Sequence, residues 1–141
     1  MNVAMLVGRI LFGLVFLGGA AGHFLQTDVL VKIVDSKGLP SARALVLGSG
    51  AWQLAGALLV VLGLWPDLGA LMLFVFLVPV AILIHNFWAE TDPQQKMLEQ
   101  VHFNKDISLA GAALFLAAFV AAHGDQLRFV LNASLYQHIV H

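Results

Sequence analysis

Residues 67–106 read DLGALMLFVFLVPVAILIHNFWAETDPQQKMLEQVHFNKD, and this stretch decides the fold. From Leu68 to Ile84 no charge interrupts it. It then turns polar at His85-Asn86-Phe87-Trp88, crosses an acidic, Gln-rich linker, and reaches His102-Phe103-Asn104-Lys105-Asp106 ahead of another apolar run. A helix needs about 20 apolar residues, at about 1.5 Å each, to cross a hydrocarbon core of about 30 Å. The stretch is therefore a polar hairpin between two membrane spans. Ionisable groups are costly to keep at such a place, which makes them functional candidates.

The rest of the chain has the same character. Hydrophobic residues make up 60% of the 141 positions and charged residues 11%, with a mean hydropathy of +0.90; a soluble domain is about 45–50% apolar. Four spans are expected, at 3–25, 42–64, 67–88 and 103–123. A β-barrel also satisfies backbone hydrogen bonds in lipid, but its strands alternate with period two and these runs are continuous. The expected fold is an all-α antiparallel four-helix transmembrane bundle, one domain over residues 1–141.

Composition also removes classes of function. A formal net charge of -1 gives no electrostatic footprint for nucleic acid. With no cysteine, disulfide exchange, a thiolate nucleophile and a thiolate-held iron–sulfur cluster are excluded, and so are four-helix quinone enzymes that use a cysteine relay. The start, Met1-Asn2-Val3-Ala4-Met5, lacks a basic n-region, so despite the small residues Gly19-Ala20-Ala21-Gly22 the first segment reads as a retained helix.

Local signals set the connections. Gly18 and Gly22 have the small-xxx-small spacing that lets helices approach closely in lipid. In loop 26–41, Val29, Leu30, Ile33 and Val34 fall at helical spacing among Asp28, Lys32, Asp35 and Lys37, which predicts a short interfacial helix before the Gly38-Leu39-Pro40 turn. Trp65-Pro66-Asp67 is so tight a connection that the flanking spans are antiparallel neighbours. Pro79 frees the carbonyl of Val75 and kinks the third span. In the tail, 126–141, Leu127, Val130, Leu131, Leu135 and Ile139 share one face, which predicts an amphipathic surface helix. The Asn132-Ala133-Ser134 sequon is read as a chance match.

With four antiparallel spans, His23, His85, Asn86, Trp88, His102, Asn104, Lys105 and Asp106 gather toward one membrane face. Gln53 lies deeper, with Ser49 one turn nearer that face. Residues three or four apart share a helix face, which pairs His102 with Asp106, Asn104 with Ser108, and Ser49 with Gln53. The expectation is a polar funnel that binds a ligand through His23, Gln53, His85, Trp88, Asn104, Lys105 and Asp106. Arg9, Ser49, Asn86 and His102 are expected to serve pairing or structure. Arg9 lies inside the opposite end of the first span and should snorkel or find a partner. Trp65 and Trp88 also suit interfacial anchoring. His123, His138 and His141 read as solvated, and Glu90, Asp92, Lys96 and Glu99 as a water-exposed loop.

These residues resemble the DoxX-like family of membrane proteins. The run from His85-Asn86-Phe87-Trp88 through Gln95 to His102-Phe103-Asn104-Lys105-Asp106 and Gly111 carries most of the likeness. Arg9 with Gly13 and Phe16, the Gly38-Leu39-Pro40 turn, and Gln53 with Gly56 and Leu62-Gly63 add to it, so that the resemblance spans the chain to about residue 123. His23 stands where the family usually has Lys, and Asn104-Lys105-Asp106 where Lys-Asn is typical. The resemblance implies a four-helix membrane fold and, for some relatives, a place in quinone-linked oxidoreductase systems, including thiosulfate:quinone and quinone-detoxifying types.

Three functions compete. One is a membrane subunit that binds quinone or quinol and supports a redox partner; side chains without thiols do not carry the electrons, so that chemistry belongs to a cofactor. A second is haem or metal binding, disfavoured because the sequence lacks paired histidines at matched depth; no metal ligands are assigned. The third is a non-catalytic assembly or anchoring subunit, or a small-solute transporter. Nothing makes the chain catalytic alone. Its expected partners are the lipid bilayer, a soluble or membrane redox protein, and a second copy. Lys32, Lys37, Arg43, Lys96 and Lys105 against Arg9 and Arg128 place the hairpin face in the cytoplasm of the inner, cytoplasmic membrane.

Overall fold

The computed structural model describes residues 2–124, 131 and 134–140. In chain order these form α1 (Asn2–Leu25), α2 (Thr27–Ser36), α3 (Ala42–Leu62), α4 (Pro66–Leu83), a 3-10 turn (Phe87–Ala89), α5 (Pro93–His123) and α6 (Leu135–Val140). No strand occurs among the described residues. Four segments, led by α1, α3, α4 and α5, are long and apolar enough to cross a membrane. The molecule is an all-α membrane bundle.

Its outside is the apolar side. Leu11, Val75, Leu114 and Phe115 are exposed, as lipid-facing positions should be, while the interior is built from Phe16, Ala57, Val60, Ala70, Leu73, Leu77 and Ala110. Lipid is as apolar as leucine, so close packing rather than water exclusion holds such helices together. α1 packs on α3, α3 on α4, and α4 on α5. The α3–α4 seam depends on two glycines: a Cβ on Gly69 would come within 2.7 Å of the Gly56 carbonyl oxygen, so a side chain there would push the helices apart. The expected small-residue face of α1 is not used in this way, since nothing lies within 4 Å of where a Cβ on Gly18 or Gly22 would be. Gly13 and Gly19 make the close approaches to α3 instead.

The α3–α4 reversal is as tight as its sequence requires. Gly63 adopts φ 70 after the last turn of α3, the Leu64 N–H reaches back to the Leu59 carbonyl at 3.0 Å, and Pro66 opens α4. That is a left-handed stop followed by a proline start. α4 continues through Pro79.

Two helix ends differ from the spans read in the sequence. The third apolar span, Pro66–Ala89, matches the expected 67–88, but its regular helix stops at Leu83 and leaves His85 beyond the last turn. The fourth begins at Pro93 rather than 103. The cause lies in the linker: the Asp92 carboxylate accepts from the Gln95 N–H at 2.8 Å and Pro93 occupies the first turn, which together make a strong helix start. At 31 residues, α5 is about 46 Å long and overshoots the hydrocarbon core by about three turns. Its polar first turns therefore stand over the end of α4.

The interfacial helix of the first loop is present as α2, with no buried residue. In the tail, Leu135 and Ile139 lie in α6, and Leu131 donates its N–H to the Gly63 carbonyl at 3.0 Å. Leu127, Arg128, Val130, Asn132, Ala133 and His141, named in the sequence reading, fall outside the described residues.

Candidate functional site

The overshoot of α5 builds the site. Its first turns place Gln95, Glu99, His102 and Asp106 along one face, and His85 at the end of α4 meets that face. His85 Nδ1 lies 2.7 Å from Glu99 Oε2. On the other side of the ring, Nε2 lies 3.6 Å from Asp106 Oδ2. Gln95 Nε2 donates to the second Glu99 oxygen at 2.9 Å, fixing the carboxylate in turn. His102 stacks on His85 with ring centroids 5.0 Å apart. Lys105 Nζ is 3.3 Å from Asp106 Oδ1.

These distances define what the imidazole can do. An ionised carboxylate only accepts, so Nδ1 carries the proton it gives to Glu99. In the neutral ring Nε2 is then a lone pair, facing Asp106 from beyond direct hydrogen-bond range. Glu99 thus fixes the ring and leaves Nε2 as the nitrogen that can accept a hydrogen bond. Asp106 is 4% exposed, whereas Lys105 reaches toward water with half of its side chain exposed.

The 3-10 turn supplies an aromatic wall. Phe87, Trp88 and Phe103 meet edge to face, with centroids 5.2 to 5.7 Å apart, the tilted geometry that ring quadrupoles prefer. Lys37, from the loop after α2, clamps this turn: its Nζ donates to Asn86 Oδ1 at 2.6 Å and to Glu90 Oε1 at 3.0 Å.

The remaining candidates are elsewhere. Asn104 is exposed, and Ser108 bonds its backbone carbonyl rather than its side chain. Ser49 donates to the Val46 carbonyl of its own helix at 3.1 Å, not to Gln53. Asp106 faces His85 and Lys105 rather than pairing with His102. His23 and Gln53 lie on the α1–α3 seam: His23 Nδ1 is 2.9 Å from the Gly19 carbonyl and its ring meets Phe76 edge-on at 6.1 Å. No hydrogen bond, ion pair or ring contact among the described residues joins this inner pair to the His85 cluster. The residues expected to line the funnel thus form two bonded groups.

Arg9 belongs to neither. It is 9% exposed and lines a cavity of about 320 Å³ between α1 and α5, with Met5, Gly8, Phe12, Ala112, Phe115, Leu116 and Phe119. Among the described residues no three His, Asp or Glu side chains converge as a metal site. His85 and His102 are stacked rather than opposed through their nitrogens, so they are not arranged to hold one iron between them.

Comparison with known families decides the chain's kinship, because the DoxX profile matches residues 4–86. The chain belongs to the DoxX family. No curated protein and no solved structure gives a significant match. The DoxX match runs from α1 to Asn86, so it includes His23, Gln53 and His85 and ends before Glu99, His102 and Asp106.

Three polar residues of this DoxX chain were missed in the sequence as partners of the cluster. Glu99 and Glu90 read as ordinary loop acids, and Lys37 only as a loop charge. For Glu99 a signal existed. Once Asp92-Pro93 is taken as a helix start, residues 95, 99, 102 and 106 fall on one helical stripe. For Lys37 and Glu90, 53 residues apart, no local pattern exists.

Proposed function

We propose that this DoxX protein is a membrane subunit that binds a quinone or quinol headgroup at the His85 cluster and handles its protons. Reduction of a quinone takes two electrons and two protons. A chain without thiols leaves the electrons to a partner protein or a bound redox cofactor. The observation that carries the reading is His85, held through Nδ1 by Glu99 and presenting Nε2 toward Asp106. In this reading Nε2 exchanges a proton with a ligand oxygen, Asp106 and Lys105 relay it toward water, and Trp88 with Phe87 and Phe103 offers rings for the headgroup to stack on. Asn104, exposed on α5, is left out of this set. The lysine count of the two loops supports a cytoplasmic placement of this face in the inner membrane.

The test is binding of a decyl-substituted benzoquinone to the purified protein. His85→Ala should weaken it at least tenfold. Equal binding by wild type and variant would sink the proposal.

One observation favours a second reading, an assembly or anchoring subunit: Gly18, Gly22 and Gly111 face open space rather than a neighbouring helix, and small residues suit docking in lipid. Under that reading, deletion of the chain abolishes a partner's activity while His85→Ala leaves it intact.

A further inference from the structure

We propose that Gln53 and His23 form a second, intramembrane site that takes a hydroxyl group, from a water molecule or from a quinol. The quinol source rests on the reading above; the water source does not.

Gln53 is 5% exposed, and its Oε1 is enclosed with no hydrogen-bond partner. Buried acceptors without a donor are uncommon enough to call for a cause, such as a bound group. His23 gives the second half of the argument. Its Nδ1 contacts the Gly19 carbonyl at 2.9 Å, and a carbonyl only accepts, so the proton sits on Nδ1 and the neutral ring presents Nε2 as an acceptor.

Two glycines bring these groups together. A Cβ on Gly19 would lie 2.5 Å from Gln53 Nε2, and one on Gly50 would lie 2.6 Å from the His23 Cβ. The antiparallel seam therefore sets Gln53 level with Gly19 and His23 level with Gly50, one helical turn apart. Side chains on a helix tilt toward its N-terminus, which directs the imidazole from the Gly50 level toward Gln53. Phe76 closes the α4 side, edge-on to the imidazole. Gln53 Oε1 needs a donor, and the lone pair of His23 Nε2 can accept from one. A quinone carbonyl, which only accepts, satisfies neither. A hydroxyl donates its one proton to the enclosed Gln53 Oε1, and a water molecule has a second for His23 Nε2, so the site favours the reduced form of a quinone over the oxidised form.

The experiment uses the full chain in lipid nanodiscs, with decyl-benzoquinol and decyl-benzoquinone as probes and water-edited solid-state NMR as the second readout. With a quinol at the site, the reduced form binds at least tenfold tighter than the oxidised form. Gln53→Leu removes that preference, whereas His85→Ala weakens both forms alike. With water at the site, the two forms do not differ, but magnetisation passes from water to the Gln53 amide and the His23 ring of the ligand-free protein, and the His23 Nε2 nitrogen resonates as a hydrogen-bonded acceptor. Equal affinities together with no water contact overturn the proposal. The NMR readout on wild type decides the matter should Gln53→Leu fail to fold. Failure of both probes to bind would remove the quinone reading and leave the water arm standing or falling on the spectra.

Discussion

Each end of the bundle buries a carboxylate, and the two are treated in opposite ways. Asp67, 7% exposed, and Asp106, 4% exposed, are equally hidden. Asp67 Oδ2 accepts from Ser134 Oγ at 2.7 Å and from the Tyr136 N–H at 3.0 Å, while Oδ1 accepts from the Leu135 N–H at 3.0 Å. It caps α6 from a distant part of the chain and ties the C-terminal segment to the start of α4. Asp106 faces His85 at 3.6 Å and Lys105 at 3.3 Å. Its neighbours are groups that can gain or lose protons, whereas those of Asp67 are fixed donors. Burial alone does not tell the two acids apart; the kind of partner does.

Substitutions at the two ends should therefore separate stability from binding. The largest effect is expected for Asp67→Ala, which leaves three donors without their acceptor. It should cost about 2–3 kcal/mol in the unfolding of detergent-purified protein, with unchanged affinity for a quinone analogue. A loss of binding without a loss of stability would erase the contrast between the ends. Next, Glu99→Gln frees the His85 ring from its carboxylate and should weaken quinone-analogue binding about tenfold, or about 1.4 kcal/mol, with little change in melting temperature. Lys37→Met removes the clamp on Asn86 and Glu90. Since that pair is partly exposed, about 0.5–1 kcal/mol is expected, read as faster proteolysis between α4 and α5. The smallest effect belongs to Arg43→Ala. Its partner Asp28 is 3.0 Å away, but both side chains are largely in water, so neither melting temperature nor binding should change measurably.

The parts of this molecule legible in the sequence are those that lipid dictates. Continuous apolar runs gave α1, α3 and α4 their places because a helix that crosses a bilayer must be apolar along its length. The start of α5 is hidden for the same reason: the stretch 93–102 leaves the hydrocarbon, and its polar residues look like a loop although Asp92 and Pro93 start a helix there. Glu99 was lost with it. His85 and Asp106 stood out as ionisable groups at span ends, yet their spacing does not reveal that the imidazole lies between two carboxylates. Asp67 read only as part of a turn, because its partner Ser134 is 67 residues away. Among the glycines of α1, sequence cannot tell the face that meets α3 from the face that meets lipid. Gly18 and Gly22 share a tidy spacing, but Gly13 and Gly19 do the packing.

The order in which the helices pack has a consequence for how the protein is made. α1, α3, α4 and α5 lie against one another in sequence order, so each new span meets its neighbour as soon as it leaves the ribosome. No span has to wait beyond the next one for its neighbour. The first interhelical interface is complete once α3 has followed α1 into the membrane, and the second once α4 has followed α3. The bond from Asp67 to Ser134 forms later than these interfaces, when a segment made 67 residues afterwards returns to the α3–α4 turn, and so stitches α6 onto a seam already built.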